Sequence, residues 1–407
     1  MLDRLTIERT LAASGNRPIV IALSGGGDST ALLHLLAEAM GANGLHAVVV
    51  DHALREGSPA DAARAASFAK ALSVSAEIVK LQWDAHANRG HQAARSMRYA
   101  ALCKVAREIG ARVIVTGHTR DDQAETVLIR AERGSGWRGL AGMKAITPMP
   151  FWPEGRGLWL ARPLLGARRE ALRAHLLEQG ADWIEDPANA NDAFARVRAR
   201  RTLSELADAG FDPMRLAALA ERLAPRVAAL VADAVALVSV AAVFDTDTTV
   251  IERAAWRSSE AVRQRALAAL LAAAGGAERL AADEQVAALD AQMPTPEFRG
   301  ATLSGAVVST TKTGWRLTRD RGALAGRADG APPLPPFPLV ANIEAVWDRR
   351  LALRTDEPGW SVAAEHGAPT LARGVERRAI TAAAPQWLLA DRVTHLLGGP
   401  AHSARQD

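Results

Sequence analysis

Only one cysteine, Cys103, occurs in 407 residues. A lone thiol cannot build an internal disulfide, a CxxC zinc site or a cysteine-held cluster. Its setting in an apolar helical stretch suits a buried structural position better than a catalytic one. Aromatic residues are few, and Tyr99 is the only tyrosine. The first residues, MLDRLTIERTLAASG, lack a basic head followed by an apolar block, so no secretory signal is expected. No stretch reaches the ~20 uncharged apolar residues of a membrane span. The expectation is a soluble, cytoplasmic protein with no membrane partner. Charge is nearly balanced: 49 Lys+Arg against 45 Asp+Glu, net +4, with arginine making most of the excess. That mild basic balance is compatible with a phosphate-rich partner without demanding one. The length favours two or three domains, and the Ala, Leu and Arg content favours helix.

The most informative stretch is PIVIALSGGGDSTALLHLL, residues 18–36. Ile19–Leu23 is a short apolar run rich in β-branched residues, which predicts a buried strand. Ser24–Gly27 is a turn that glycine makes easily. From Asp28 to Leu36, apolar residues recur at helical spacing. Strand, glycine turn and helix start make a cradle in which backbone N–H groups and the helix dipole face an anion. It is not a Walker A loop, because GxxxxGK[ST] is absent. Asp28 reads either as a helix-start carboxylate or, beside a triphosphate, as a ligand for Mg²⁺.

From Pro18 to about Leu165, strand-like and helical runs alternate. Leu45–Val50, Ala76–Leu81 and Arg112–Thr116 read as strands. Asp61–Leu72, His91–Ile109 and Asp121–Arg133 read as helices between them. This predicts an α/β fold with a doubly wound parallel sheet. Ligands in such sheets lie at the carboxyl ends of strands, where Ser24, Asp51-His52 and Gly117-His118 fall. Residues 140–165 read as loop plus one strand, Leu158–Pro163, and 166–223 as helical. Leu230–Val243 is strongly apolar, 260–292 reads as helical, and Ala301–Ser309 and Gly314–Thr318 as strands. GAPPLPPFP, 330–338, reads as a linker. Strand-like runs follow near Leu339–Val346 and Arg349–Leu353. The expected segments are 1–215, 216–329 (mainly helical) and 330–407 (small).

A second chemical signal is VTGHTRDDQAETVLIRAERGSG, 115–136. His118, Asp122 and Glu125 form HxxxDxxE. On a helix Asp122 and Glu125 share a face. Such a pair can hold Mg²⁺, bind an ammonium group, or simply be a solvated acidic helix start. Gly134-Ser135-Gly136 ends the helix and is a candidate second backbone anion site. Arg95 and Arg98 lie three apart on one helix face and could fork onto phosphate oxygens or stand solvated. Arg196, Arg198, Arg200 and Arg201 are equally a candidate RNA-backbone contact or a solvated face. Trp183 suits a local core better than base stacking.

Together, SGGGDS (24–29), VDH (50–52), HQAARSMRY (91–99), GHTRDDQAET (117–126), RGSG (133–136), RPLL (162–165) and WIEDPAN (183–189) occur in one order and spacing. Over residues 15–205 this series resembles the tRNA(Ile)-lysidine synthases, N-type members of the PP-loop ATP pyrophosphatases. Beyond 205 the likeness is one of layout. The family often has serine where Ala188 stands and asparagine where Val197 stands.

The resemblance implies an adenine nucleotide alpha hydrolase-like fold with helical and mixed α+β C-terminal domains, 1–215 being catalytic and 216–329 binding tRNA. It implies ATP with Mg²⁺, free L-lysine, and tRNA(Ile) carrying a CAU anticodon as reactants, with a homodimer left open. The wobble cytidine is adenylated through its C2 oxygen, pyrophosphate leaves, and the lysine ε-amine displaces AMP from C2. On this pattern Ser24, Gly25, Gly26, Gly27, Asp28, Ser29, Asp51 and His52 bind ATP, and Asp28 holds the metal. Asp28, His118 and Asp122 serve catalysis, and Asp122 and Glu125 bind lysine. Arg95, Arg98, Arg133, Arg196, Arg198 and Arg200 are the candidate RNA or phosphate contacts. The rival is a PP-loop tRNA thiolase or another adenylating amidotransferase. A single cysteine argues against a thiolase, which needs either a pair for sulfur relay or several to hold an iron–sulfur cluster.

Overall fold

The computed structural model describes residues 2–83, 90–185, 195–326 and 332–399. The chain forms two compact units, Met1–Ala228 and Ala229–Asp407. The first runs α1 (Arg4–Ser14), β1 (Ile19–Ala22), α2 (Gly27–Met40), β2 (Leu45–Asp51), α3 (Ser58–Ala71), β3 (Ser75–Lys80) and α4 (His91–Glu108). It continues β4 (Val113–Val115), α5 (Arg120–Glu132), α6 (Trp137–Leu140), β5 (Ile146–Pro148), β6 (Trp159–Ala161), α7 (Arg169–Glu178), α8 (Ala195–Asp208) and the start of α9 (Met214–Ala241).

Its sheet has the order β3-β2-β1-β4-β6-β5. Every pairing is parallel except β5 with β6. The chain moves outward from β1 through β2 to β3, then returns through α4 to β4 on the other side of β1. That reversal opens a crevice past the carboxyl ends of β1 and β4, where doubly wound sheets take ligands. Strand alternation fills both faces. Ile19, Ile21, Leu45, Ala47, Val49, Val113 and Val115 pack with α2, α3 and α7. Val20, Val48 and Ile114 pack with Tyr99, Leu102, Cys103 and Ala106 of α4. Cys103 is buried there, and burial pushes its thiol up to about 12. The expected strands and helices of this region are present. The antiparallel β5 was not expected, because three residues ending in proline read as loop.

Two backbones meet at the crevice. A methyl group on Gly117 would lie 2.8 Å from the Asp28 carbonyl oxygen and 3.0 Å from the Ser29 nitrogen. Backbone cannot step aside as a flexible side chain can. Gly117→Ala is therefore expected to destabilise the first unit by ~1–3 kcal/mol, the usual overpacking range. Urea unfolding measures it, and an unchanged midpoint would show that this close approach is slack.

The first unit extends past the expected boundary at 215 because α9 begins inside it. Met214, Leu216 and Ala217 pack against Ala124 and Leu128 of α5 and Leu203 of α8. Among the described residues α9 alone is long and apolar enough to cross a membrane, which the sequence reading had not expected. Its buried Leu230, Ala234, Leu237, Val238 and Ala241 instead join the core of the second unit.

That second unit holds β7 (Ala242–Asp245), β8 (Thr248–Glu252), α10 (Glu260–Ala274), α11 (Asp283–Gln292), β9 (Ala301–Leu303), β10 (Ala306–Thr310) and β11 (Gly314–Arg319). The strands form a sheet of order β7-β8-β11-β10-β9 over α10, so the region expected to be mainly helical is mixed. Next come α12 (Arg321–Ala325), β12 (Phe337–Pro338), β13 (Ala345–Trp347), β14 (Leu351–Leu353), β15 (Ser361–Glu365), β16 (Ala368–Arg373), β17 (Glu376–Ala379), β18 (Gln386–Trp387) and α13 (Leu389–Leu396). They make sheets of order β12-β15-β16-β17 and β13-β14-β18, with Trp347, Trp360, Leu351 and Val362 at their centre.

Candidate functional site

The glycine loop is held by its own hydroxyls. Ser24 N–H donates to Ser29 Oγ at 3.2 Å, and the two hydroxyls lie 3.0 Å apart. Ser29 Oγ donates to the Gly26 carbonyl at 3.0 Å, and Thr30 Oγ1 to that of Gly25 at 3.1 Å. Gly25 adopts φ +80°, and a methyl group there would strike Ile184 and Ala65. Gly26 caps α2 without a side chain, so the first-turn N–H groups stay open to an anion. Ile184 N–H donates to the Gly25 carbonyl at 2.9 Å, and Trp183 faces Gly27. The start of WIEDPAN thus seats the loop, as packing of Trp183 implied. Residues 186–189, including Ala188, lie outside the described residues.

Asp28 stands in the first turn of α2, and Asp122 and Glu125 on α5. The structure joins them through Arg169, the first residue of α7. Its Nε donates to Asp28 Oδ2 at 3.0 Å; its terminal nitrogens lie 3.3 Å from Asp122 Oδ1 and 3.6 Å from Glu125 Oε1. Arg169 was not expected from the sequence, although one signal was there. A cation at a helix start opposes the macrodipole, and Asp121 offsets this by accepting the Arg169 backbone N–H at 2.8 Å.

Two further arginines reach the same carboxylates from α8. Arg196 lies 3.3 Å from Asp122 Oδ1, and Arg200 Nε donates to Glu125 Oε1 at 3.0 Å. Arg198, between them, is exposed. Thr119 and Asp122 form a capping box: Asp122 Oδ2 accepts the Thr119 N–H at 2.8 Å and its hydroxyl at 3.0 Å. The second oxygen of Glu125, Oε2, is buried and has no hydrogen-bond partner among the described residues.

Burial sets most charges here. It raises Asp28 above the ordinary carboxylate range despite Arg169. Burial and then Asp122 raise Glu125, opposed by Arg200 and Arg169. Burial opposes the Asp122 charge, but His118, Arg196, Arg169 and the Thr119 N–H outweigh it, so Asp122 sits low. Burial also opposes the Arg169 charge, and Asp122, Asp28 and Glu125 more than reverse that.

His118 accepts or donates through Nδ1 at 2.8 Å from Thr116 Oγ1. Burial first, then Arg162, drive its pKa well below the ordinary value, so it is neutral at pH 7. An unfolded chain protonates this histidine near pH 6.5 while the folded one refuses the proton. Stability is therefore intact above that pH and falls as pH drops below it, by ~1.4 kcal/mol per unit at most. Urea midpoints between pH 8 and 5.5 should fall more steeply for the wild type than for His118→Gln. Equal slopes would mean that this ring protonates freely in the fold.

Arg95 and Arg98 are not simply solvated. Their guanidiniums lie 5.0 and 5.1 Å from the Tyr99 ring centre. Burial, with Arg95, Arg196 and Arg130 adding to it, brings the nearby Arg162 down to about 10, against Tyr99. No carboxylate is seen against Arg95, Arg98 or Arg162 among the described residues. Among the described residues, the buried Nε atoms of Arg98 and Arg162 lack hydrogen-bond partners. An anion would compensate this charge.

Other expected residues stand apart. The Asp51 carboxylate is buried and accepts the Ala53 N–H at 2.9 Å, and the His52 carbonyl accepts from Trp83 Nε1 at 2.7 Å. Both lie at the end of β2, beside β1. Arg133 is exposed. Gly134-Ser135-Gly136 ends the helix as expected, and two of its N–H groups are thereby closed to an anion. Gly134 N–H donates to the Ala131 carbonyl and Ser135 N–H to that of Arg130, at 2.9 Å each, closing α5 as a Schellman motif. Among the described residues no three metal-binding side chains cluster. Asp28 alone fits a Mg²⁺ that takes its remaining ligands from phosphates and water.

A family described as a PP-loop domain matches residues 3–207. The chain is 46% identical over 188 residues to a tRNA(Ile)-lysidine synthase of Hyphomonas neptunium, matching 46% of this chain and 50% of that protein. It thus spans about half of that relative's length. Longer matches reach the same-named enzymes of Mesorhizobium japonicum, 37% identical over 81% of this chain and 71% of that one, and Caulobacter vibrioides, 33% over 94% and 85%.

Proposed function

Since the chain belongs to the tRNA(Ile)-lysidine synthase family of PP-loop, ATP-using enzymes, we propose that it joins L-lysine to C2 of the wobble cytidine in a CAU-anticodon tRNA(Ile). One observation carries the reading: Asp28 of the SGGGDS loop and the Asp122–Glu125 pair meet on a single guanidinium, Arg169. A phosphate-binding element and a cation-binding element therefore adjoin, as a reaction of ATP with a lysine ammonium requires.

In this reading the open N–H groups of α2 and the Ser24 and Ser29 hydroxyls hold the triphosphate. Asp51 and His52, at the end of β2, lie on the adenosine side. Asp28 would hold a Mg²⁺, which shields phosphate charge as pyrophosphate leaves. The cytidine C2 oxygen attacks the α-phosphorus, and C2 gains AMP as its leaving group. Asp122 and Glu125 hold the lysine by its ammonium charge. The ε-amine, once deprotonated, attacks C2 and displaces AMP. His118 stays neutral beside this centre, so it adds no positive charge against the incoming ammonium. Arg95 and Arg98, with no carboxylate against them among the described residues, meet RNA phosphates, and Arg133 and Arg198 at the surface are further candidates for the same use.

The thiolase alternative finds no support in Cys103, which is buried with a raised pKa. The deciding experiment incubates the protein with ATP, L-lysine and tRNA(Ile), digests the RNA and weighs its nucleosides. A lysine-dependent mass gain on one cytidine is expected. A mass gain requiring a sulfur donor, or none at all, would overturn the assignment.

A further inference from the structure

The pocket proposed for lysine already carries its own cations. Three carboxylates, Asp28, Asp122 and Glu125, meet three guanidiniums, those of Arg169, Arg196 and Arg200. The formal charges cancel, so an incoming ammonium gains no net attraction. The three arginines are unequal. Arg169 is 19% exposed and touches all three carboxylates. Arg196 and Arg200 are 38% and 44% exposed, one helical turn apart on α8. Each grips a buried carboxylate with one part of its guanidinium and turns the rest to solvent. Helix α8 is fixed against α5 through Ala124 and Leu203, so the side chains can move while the helix stays.

We infer that Arg196 and Arg200 are exchange residues: without RNA they occupy the carboxylates that take lysine, and phosphodiesters of bound tRNA draw them off and open the site. This rests on the lysine role proposed above for Asp122 and Glu125. Phosphate oxygens suit guanidiniums geometrically as well as carboxylates do. Once both arginines leave, the three carboxylates face Arg169 alone, and the pocket carries two net negative charges for the ammonium. The apparent lysine affinity of the free protein is reduced in proportion to the time the arginines sit in place. RNA binding and lysine binding are thereby coupled, and the coupling is reciprocal: whatever factor tRNA adds to lysine affinity, lysine adds to tRNA affinity. The arrangement would keep lysine from occupying the site before an adenylatable base is present.

Equilibrium dialysis of labelled L-lysine against the full chain tests this, without ATP so that nothing turns over. Adding tRNA(Ile) should tighten lysine binding by about tenfold or more. Arg200→Gln and Arg196→Gln should bind lysine more tightly than wild type in the absence of RNA, with a smaller gain when RNA is added. Lysine affinity unchanged by tRNA in the wild type would overturn the inference, as would weaker RNA-free binding in folded Arg200→Gln protein. Should that variant not fold, the wild-type comparison decides alone. Lysine transfer to tRNA separates the two claims: if transfer occurs while lysine affinity ignores RNA, only the exchange fails; if no transfer occurs, the assignment beneath it fails.

Discussion

Asp28→Ala is expected to lose tRNA-dependent pyrophosphate release by a factor on the order of 10³, with the fold retained. The fold survives because Arg169 keeps Asp122 at 3.3 Å and Glu125 at 3.6 Å after its bond to Asp28 is gone. What disappears is the carboxylate in the first turn of α2, the acidic side chain that neighbours the phosphate loop. Removing one preorganised electrostatic group from a water-poor site costs ~10²–10³ in rate, and a metal ligand sits at or above the upper end. Asp28→Asn sharpens the result. The amide oxygen can still accept from Arg169 Nε but carries no charge, so packing is kept while the charge is not. Both variants should be inactive in release of labelled pyrophosphate from ATP, with urea midpoints close to wild type. Release within tenfold of wild type in Asp28→Ala would mean that the triphosphate does not use this carboxylate.

The sheet was legible because its strands advertise themselves. Ile19–Ala22, Leu45–Asp51 and Val113–Val115 are β-branched runs between helices of the right length, and both faces are buried. The glycine loop was legible because few other residues tolerate φ +80° at Gly25 under Ile184. Less visible were elements that rest on partners distant in sequence. β7 lay hidden at the end of the apolar run of α9, since a helix and a strand share the same residue types there. Strands β15–β17 carry Pro369 and five charged residues and are separated by Gly367 and Gly374, so their pattern is weak. At the site, Arg169 escaped notice for a related reason: an arginine at a helix start reads as surface, and only the meeting of α2, α5 and α7 turns it into a hub. RVRARR read as one basic face or a solvated one, yet Arg196 and Arg200, though partly exposed, each reach a buried carboxylate of α5. RGSG read both as a helix end and as a candidate anion site, because the same backbone serves either; here the N–H groups of Gly134 and Ser135 are spent on the end of α5.

Glu125→Ala should raise the lysine KM by ~10²-fold or more while leaving the ATP KM within a few-fold. Glu125 is 1% exposed, so its charge acts through little water. Truncating one side of a buried charge pair costs ~2–5 kcal/mol, and ~1.4 kcal/mol is a factor of ten. The variant also leaves Arg200 and part of Arg169 facing the incoming ammonium, so repulsion adds to the lost attraction. ATP is spared because the phosphate loop is braced by Ser24, Ser29 and Ile184, none of which leans on Glu125. Initial rates over lysine and ATP concentrations give both constants; equal rises in the two would remove Glu125 from lysine binding. The partner variant supplies an internal check. Glu125→Ala and Arg200→Gln break the same 3.0 Å contact, and loss of structure alone would move lysine affinity one way in both. Opposite signs, weaker for Glu125→Ala and tighter for RNA-free Arg200→Gln, arise only if the carboxylate binds the amine and the guanidinium competes for it.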